Sequence, residues 1–224
     1  MRGQPKPGRR ARVGAVRLVK YTHACVRLED DGRILVIDPG EFTEPHAIEG
    51  AHDVLVTHEH YDHIDVRRLT EAAAADPSLT VYAPASVAGQ LTDFPGRVTT
   101  VEPGDTFTAA DFAVRAVGGS HAEIYEGLPG CPNVGYVVDE RIYHPGDALF
   151  VPDVAVEVLL VPASAPWLKL AEALDFMRAV KPARAYPIHD AMLSEIGQMG
   201  MDRWMGAKGN TEFARIPVGE SVSL

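Results

Sequence analysis

The sequence predicts an α/β fold in which two β-sheets pack together with helices on their outer faces. Three features carry that prediction. The opening third is a series of short, β-branched apolar segments; the middle changes to alternating strand and helix; and the second half repeats the order of the first without repeating its sequence. Apolar strands buried on both faces call for such layers, and strand ends from the two halves of the chain would then meet along one edge.

In chain order, "VGAVRLVKY", "ACVRLE", "RILVID" and "DVLVT" read as strands, the second and third separated by the turn signal "DDG". A helix is expected over residues 66–75, with Asp65 as its N-cap and "DPS" as its stop. The strand "LTVYA" and a short helix from Pro84 follow. Further strands are expected near 97–101, 112–117, 134–138 and 141–143. Last come "VEVLLVP", a helix over 167–180, the strand "ARAYPI" and a helix near 192–205.

The chain has 224 residues, 46% hydrophobic and 23% charged, enough to bury one large core, and a single domain is expected over residues 12–224. Residues 1–11, rich in Pro, Gly and Arg, read as a mobile tail. The formal net charge of −10 argues against nucleic acid as a partner, since phosphate binders carry a basic stripe. Cys25 and Cys131 match no Cys-x-x-Cys pattern and are too few to staple the fold, which fits a reducing cytoplasm. No apolar run approaches the roughly 20 residues that span a bilayer, and no secretory signal is visible. A homo-oligomer is compatible with the sequence, but no apolar patch marks an interface.

The chemistry is concentrated in "VTHEHYDHID", residues 56–65. In an extended segment leaving "DVLVT", His58 and His60 point to the same side, and Asp62 and His63 follow where the chain turns into the helix. Imidazole nitrogen and carboxylate oxygen suit zinc, manganese or iron. Four ligands so close in sequence are hard to aim at one ion and easier to divide between two. The competing reading, a solvated charged loop at a helix start, does not account for this spacing directly behind a buried strand. More ligand types stand after apolar runs: His121 after "VGGS", Asp147 in "YHPGDALF" and His189 in "YPIHD".

These motifs in this order resemble the metallo-β-lactamase fold superfamily over nearly the whole chain from Arg12. The resemblance implies an αββα sandwich of two mixed β-sheets. It also implies a first ion on His58, His60 and His121, a second on Asp62, His63 and His189, and Asp147 bridging them. "DHID", with "YTHACVRLE" and "VIDPG" upstream, is similar to the branch holding the ascorbate-phosphate lactonase and the N-acyl-phosphatidylethanolamine phospholipase. The expected activity is hydrolysis of an ester, lactone or phosphodiester bond of a small molecule by a hydroxide bridging two divalent ions, with zinc favoured and manganese or iron open. Asp62 would orient the attacking water and relay its proton.

The remaining candidates carry plain alternatives. His23, at a strand start, reads as a packed or surface residue, but the resembling branch places it near the site, facing substrate or a ligand. Asp38 is either the acceptor of a ligand histidine's outer N–H or a turn former before Pro39. His144 is a proton donor or, the reading favoured here, a turn residue. His46 and His52 are expected at the surface. The glycine- and proline-rich segment 121–136 is expected to loop over the pocket, with Tyr125, Leu128 and Trp167 as its walls or as plain core and rim.

Rivals are weaker. A flavin-linked di-iron oxidoreductase would use Glu where His60 stands, and a nuclease of this fold would need an inserted domain. Neither Ser120 nor Ser164 sits in a Gly-x-Ser-x-Gly elbow. A non-catalytic, metal-stabilised binding protein would need only one closed set of four ligands.

Overall fold

The computed structural model describes residues 15–128 and 130–224; the tail expected over residues 1–11 lies outside them. Strands β1 (Arg17–Lys20), β2 (Val26–Asp30) and β3 (Arg33–Ile37) form an antiparallel meander. Asp30 pairs with Arg33, leaving Asp31 and Gly32 as a two-residue turn, with φ of 49° and 77°. Two-residue hairpins demand this left-handed conformation, which Asp-Gly adopts readily.

The sheet then turns parallel. Strands β4 (Asp53–Leu55), β5 (Thr80–Ala83) and β6 (Arg97–Thr100) add in order, linked through helix α1 (Val66–Ala75) and the short α2 (Ala85–Ala88). Parallel neighbours cannot be joined by a hairpin, so each step needs a crossover. The second sheet repeats this sequence of patterns, antiparallel first and parallel after. Strands β7 (Thr106–Ala109), β8 (Phe112–Gly118), β9 (Val134–Val138) and β10 (Ile142–His144) are antiparallel. Strands β11 (Val158–Pro162), β12 (Arg184–Ile188) and β13 (Glu212–Phe213) follow in parallel, linked through α3 (Leu170–Val180) and α4 (Glu195–Lys208).

Alternation along the strands divides the core into layers. Leu28, Leu35, Ile37 and Leu55 of the first sheet meet Phe112, Tyr136, Ile142 and Leu160 of the second in one cluster between the sheets. The intervening residues face outward: Val36 and Val54 pack with Leu69 and Ala73 of α1. Leu159 and Val161 pack with Phe176 and Met177 of α3 and Met205 of α4. Because both faces are covered, β9 and β11 are buried at every position, as their unbroken apolar sequences require. The arrangement is the expected αββα sandwich of two mixed sheets.

Three strands and a 3₁₀ turn at Pro45–Ile48 are absent from the sequence reading. They are β7, β13 and β14 (Ser221–Ser223), and β14 pairs with β1, so the first sheet takes its edge from the end of the chain. Helix α3 starts at Leu170 rather than 167, and α4 starts three residues later than expected because the Ser194 side chain caps it by accepting from Gly197 N–H at 3.2 Å. Among the described residues no helix is long and apolar enough to cross a membrane.

Candidate metal centre

The histidine motif leaves β4 and runs into α1, whose N-cap is Asp65, accepting from Arg68 N–H at 3.0 Å. The loop after β3 packs directly on its back. A Cβ on Gly40 would stand 2.0 Å from the Asp62 carbonyl oxygen, so only glycine permits the approach. Gly146 plays the same part below Asp147: its φ is 62°, and a Cβ there would lie 2.3 Å from Asn133 Oδ1. Asn133 Oδ1 in turn accepts from Asp147 N–H at 2.9 Å and fixes the turn.

Strand ends from both sheets bring His58, His60, Asp62, His63, His121, Asp147 and His189 together. The histidines are oriented by what their outer nitrogens touch. His63 Nδ1 lies 2.7 Å from Asp38 Oδ2, His189 Nδ1 2.6 Å from the Ser164 carbonyl, and His121 Nδ1 2.5 Å from the Ala122 carbonyl. His58 Nδ1 lies 3.0 Å from Thr57 Oγ1, whose own hydroxyl donates to Asp38 Oδ2 at 2.7 Å. A neutral imidazole has one N–H, so these outward bonds leave the Nε2 lone pairs of all four pointing inward.

Three of these four have no hydrogen-bond partner, while His58 Nε2 lies 3.1 Å from His60 Nδ1. His63 Nε2, His121 Nε2, His189 Nε2 and Asp147 Oδ1 are all buried and unsatisfied. Asp147 stands among them, 3.0 Å from both His63 Nε2 and His189 Nε2, 3.3 Å from His121 Nε2 and 4.0 Å from His58 Nε2. Unsatisfied polar atoms at one buried point are costly unless a cation occupies it, so the donor set fits metal ions. By distance the donors fall into two groups, His58, His60, His121 and Asp147, and His23, Asp62, His63 and His189, with the ligand atoms of each group within 4.8 Å of one another.

The charge balance agrees. Burial pushes the His58 pKa well below its ordinary value, with nearby His63 adding to the effect. For His63 burial acts the same way but is outweighed by the Asp147 and Asp38 charges, which lift it well above. His189 is raised to about 9, burial being outweighed by the closeness of Asp147 and Asp62. Burial also opposes ionisation of Asp62 and Asp147, yet the surrounding imidazoles hold both well below the usual carboxylate range. The two carboxylates draw positive charge into the cluster, whether as protons or as a cation.

A sequence model of the Beta-lactamase superfamily domain matches residues 17–189, which include every one of these donors. The chain belongs to the β-lactamase superfamily. It is 43% identical over 185 residues to protein Rv0786c of Mycobacterium tuberculosis, covering 80% of this chain and 86% of that protein. It is 28% identical over 192 residues to a UPF0173 metal-dependent hydrolase of Thermoplasma volcanium, covering 78% and 83%. The metallo-β-lactamase fold protein YhfI of Bacillus subtilis superposes with a TM-score of 0.74 at 12% identity, covering 94% of this chain and all of that one, a likeness of fold.

The other candidates separate within this superfamily scaffold. Asp38 is fully buried and grips both Thr57 and His63, and it also turns the chain before Pro39, with φ of 52° and its carbonyl accepting from Gly40 N–H at 2.9 Å. His144 serves the turn: Nε2 lies 2.9 Å from the Ala24 carbonyl and Nδ1 accepts from Gly146 N–H at 3.1 Å. His46 and His52 are exposed. Tyr125 is not brought to the site; it is 74% exposed at the tip of its loop, because the chain between His121 and Cys131 carries Ile124 and Leu128, not Tyr125, toward the cavity beside His60. Trp167, weighed as wall or plain core, donates from Nε1 to Asp147 Oδ2 at 3.2 Å and stands edge-on to His121 and His189. The sequence reading also passes over Thr57 and Asn133. Thr57 is signalled only by standing directly before His58; nothing in the sequence points to Asn133.

Replacing Asp38 with Asn keeps its volume but turns one acceptor into a donor facing Thr57 or His63. Zinc affinity is expected to fall about 10- to 100-fold, measured by chelator competition; unchanged affinity would show that His63 needs no such partner.

Proposed function

We propose that the protein is a metal-dependent hydrolase that holds two divalent ions and cleaves an ester, lactone or phosphodiester bond of a small molecule. The observation that carries this reading is the convergence of buried, unpartnered Nε2 atoms and Asp147 Oδ1 on one point. His58, His60 and His121 would hold the first ion, Asp62, His63 and His189 the second, and Asp147 would lie between them. Nitrogen-rich donors favour zinc, with manganese or iron as alternatives. The relative in Thermoplasma volcanium, named a metal-dependent hydrolase, supports the same class.

When bound, the ions supply Lewis acidity, which makes water nucleophilic near neutral pH and stabilises charge developing on the substrate. The chain supplies the positioning. Asp62 is part-exposed, and against the effect of burial the His189 and His23 rings beside it hold its carboxyl well below the usual carboxylate range, so its carboxylate would accept from the attacking water and orient it. A cavity of about 260 Å³ opens beside His60 and His121, walled by Ala122, Ile124, Leu128 and Cys131. That is just below the roughly 300–1,000 Å³ usual for ligand pockets, so only a compact small molecule would fit. Among the described residues, those lining it include no lysine or arginine, which favours a neutral ester or lactone over an anionic phosphodiester.

The test is a panel of esters, lactones and phosphodiesters assayed before and after chelation. Turnover that chelation abolishes and added metal restores is the expected result. Metal-loaded protein inert toward every class would replace this reading with a metal-stabilised binding protein.

A further inference from the structure

His23 lies in the loop between β1 and β2, and by distance it completes the second group of donors around Asp62, His63 and His189. Distance alone would make it a ligand. Its hydrogen bonds argue otherwise. The ring is buried, with Nε2 3.1 Å from Asp62 Oδ2, and Nδ1 receives the Ala191 backbone N–H at 3.3 Å. A backbone amide can only donate, so Nδ1 must present its lone pair, and the single proton of the neutral ring sits on Nε2. That proton points at the Asp62 carboxylate, an acceptor. Nε2 therefore has no lone pair to offer an ion.

The polarity is opposite to that of the neighbouring histidines. His63, His121 and His189 give their N–H outward, to Asp38, the Ala122 carbonyl and the Ser164 carbonyl, and aim a bare nitrogen inward. His23 gives its N–H inward. Its backbone is held to match: φ is 67°, a left-handed conformation that non-glycine residues keep only where surrounding bonds impose it. Those bonds are present, because the His23 carbonyl accepts from buried Lys20 Nζ at 2.7 Å and from His189 N–H at 3.2 Å. Lys20 is itself 3.7 Å from Asp190 Oδ1, and Asp190 is gripped by Arg215. The loop carrying His23 and the loop carrying His189 are thus tied together on both ring and backbone.

We infer that His23 is a positioning residue, a fixed Nε2–H donor that orients the Asp62 carboxylate, and not a metal ligand. The inference rests on the proposed function in so far as Asp62 serves the second ion. The tautomer is independent of it.

Long-range nitrogen–proton correlation NMR on protein labelled with ¹⁵N-histidine reads that tautomer directly, in metal-free and zinc-loaded samples. His23 is expected as the Nε2–H form in both. Chelator competition with zinc on His23→Gln and His23→Leu gives the second readout. Gln can donate an amide N–H to Asp62 and accept from Ala191, whereas Leu can do neither. Both variants should reach wild-type zinc stoichiometry at saturation, with zinc bound about 10- to 100-fold more weakly in H23L and most of that loss restored in H23Q. An Nδ1–H tautomer, or loss of one zinc in both variants, would overturn the inference. Wild-type protein that takes up no zinc would instead overturn the proposed function, and the metal-free tautomer would then decide the role of His23.

Discussion

Replacing Asp147 with Asn is expected to empty the centre of metal. This carboxylate is almost fully buried and faces four imidazoles, its Oδ1 3.0 Å from His63 Nε2 and its Oδ2 3.0 Å from His189 Nε2. Asn matches its shape and removes its charge, so the positive charge it draws in, from either protons or ions, loses its partner. Breaking a buried charge pair from one side costs about 3–5 kcal/mol, which corresponds to roughly a hundredfold to several thousandfold in zinc affinity. Chelator competition measures it. Backbone placement should survive, because Asn133 and the Gly146 turn hold the Asp147 main chain and not its carboxylate. Wild-type zinc affinity in folded D147N protein would remove Asp147 from the centre.

The second large effect is on turnover. Asp62→Ala is expected to lower hydrolysis of any accepted substrate about 100- to 10,000-fold, the range typical of a lost proton-handling group. The fold should stay intact. The Asp62 side chain is only part-buried and contacts His23 and His189, while the close packing of this loop against Gly40 runs through the backbone. Circular dichroism and thermal melting would establish folding, and elemental analysis would establish metal loading before the assay. Substantial activity in a folded, metal-loaded variant would contradict the role given to Asp62.

What could be read from the sequence follows from how local each signal is. Helix α1 was legible to the residue because its cap, its apolar face and its stop all lie within the segment itself. The buried strands β9 and β11 were legible because covering both faces leaves an unbroken apolar run. The short edge strands β7, β13 and β14 were not: their burial is irregular or slight, and their pairing depends on neighbours far along the chain, as when Ser221–Ser223 lies beside Arg17–Lys20.

The same division runs through the site. Seven candidate donors stood out by type and by position after apolar runs, since His and carboxylate side chains are metal-ligand types whatever their surroundings. Of the groups that orient them, Asp38 was a named candidate but Thr57 and Asn133 were not, and the partners of His23 and Trp167 could not be named, because such roles are set by contacts between distant segments. Ala191 N–H reaches His23 Nδ1 across 168 positions, and Trp167 meets Asp147 across 20. Tyr125 was a plausible wall by type alone, and the path of its loop turned it outward.

Elemental analysis of the purified, dialysed, folded protein would show whether the seven proposed donors hold two ions. About two divalent ions per chain are expected. Folded protein carrying little or no metal, and taking up none when zinc is supplied, would contradict that assignment.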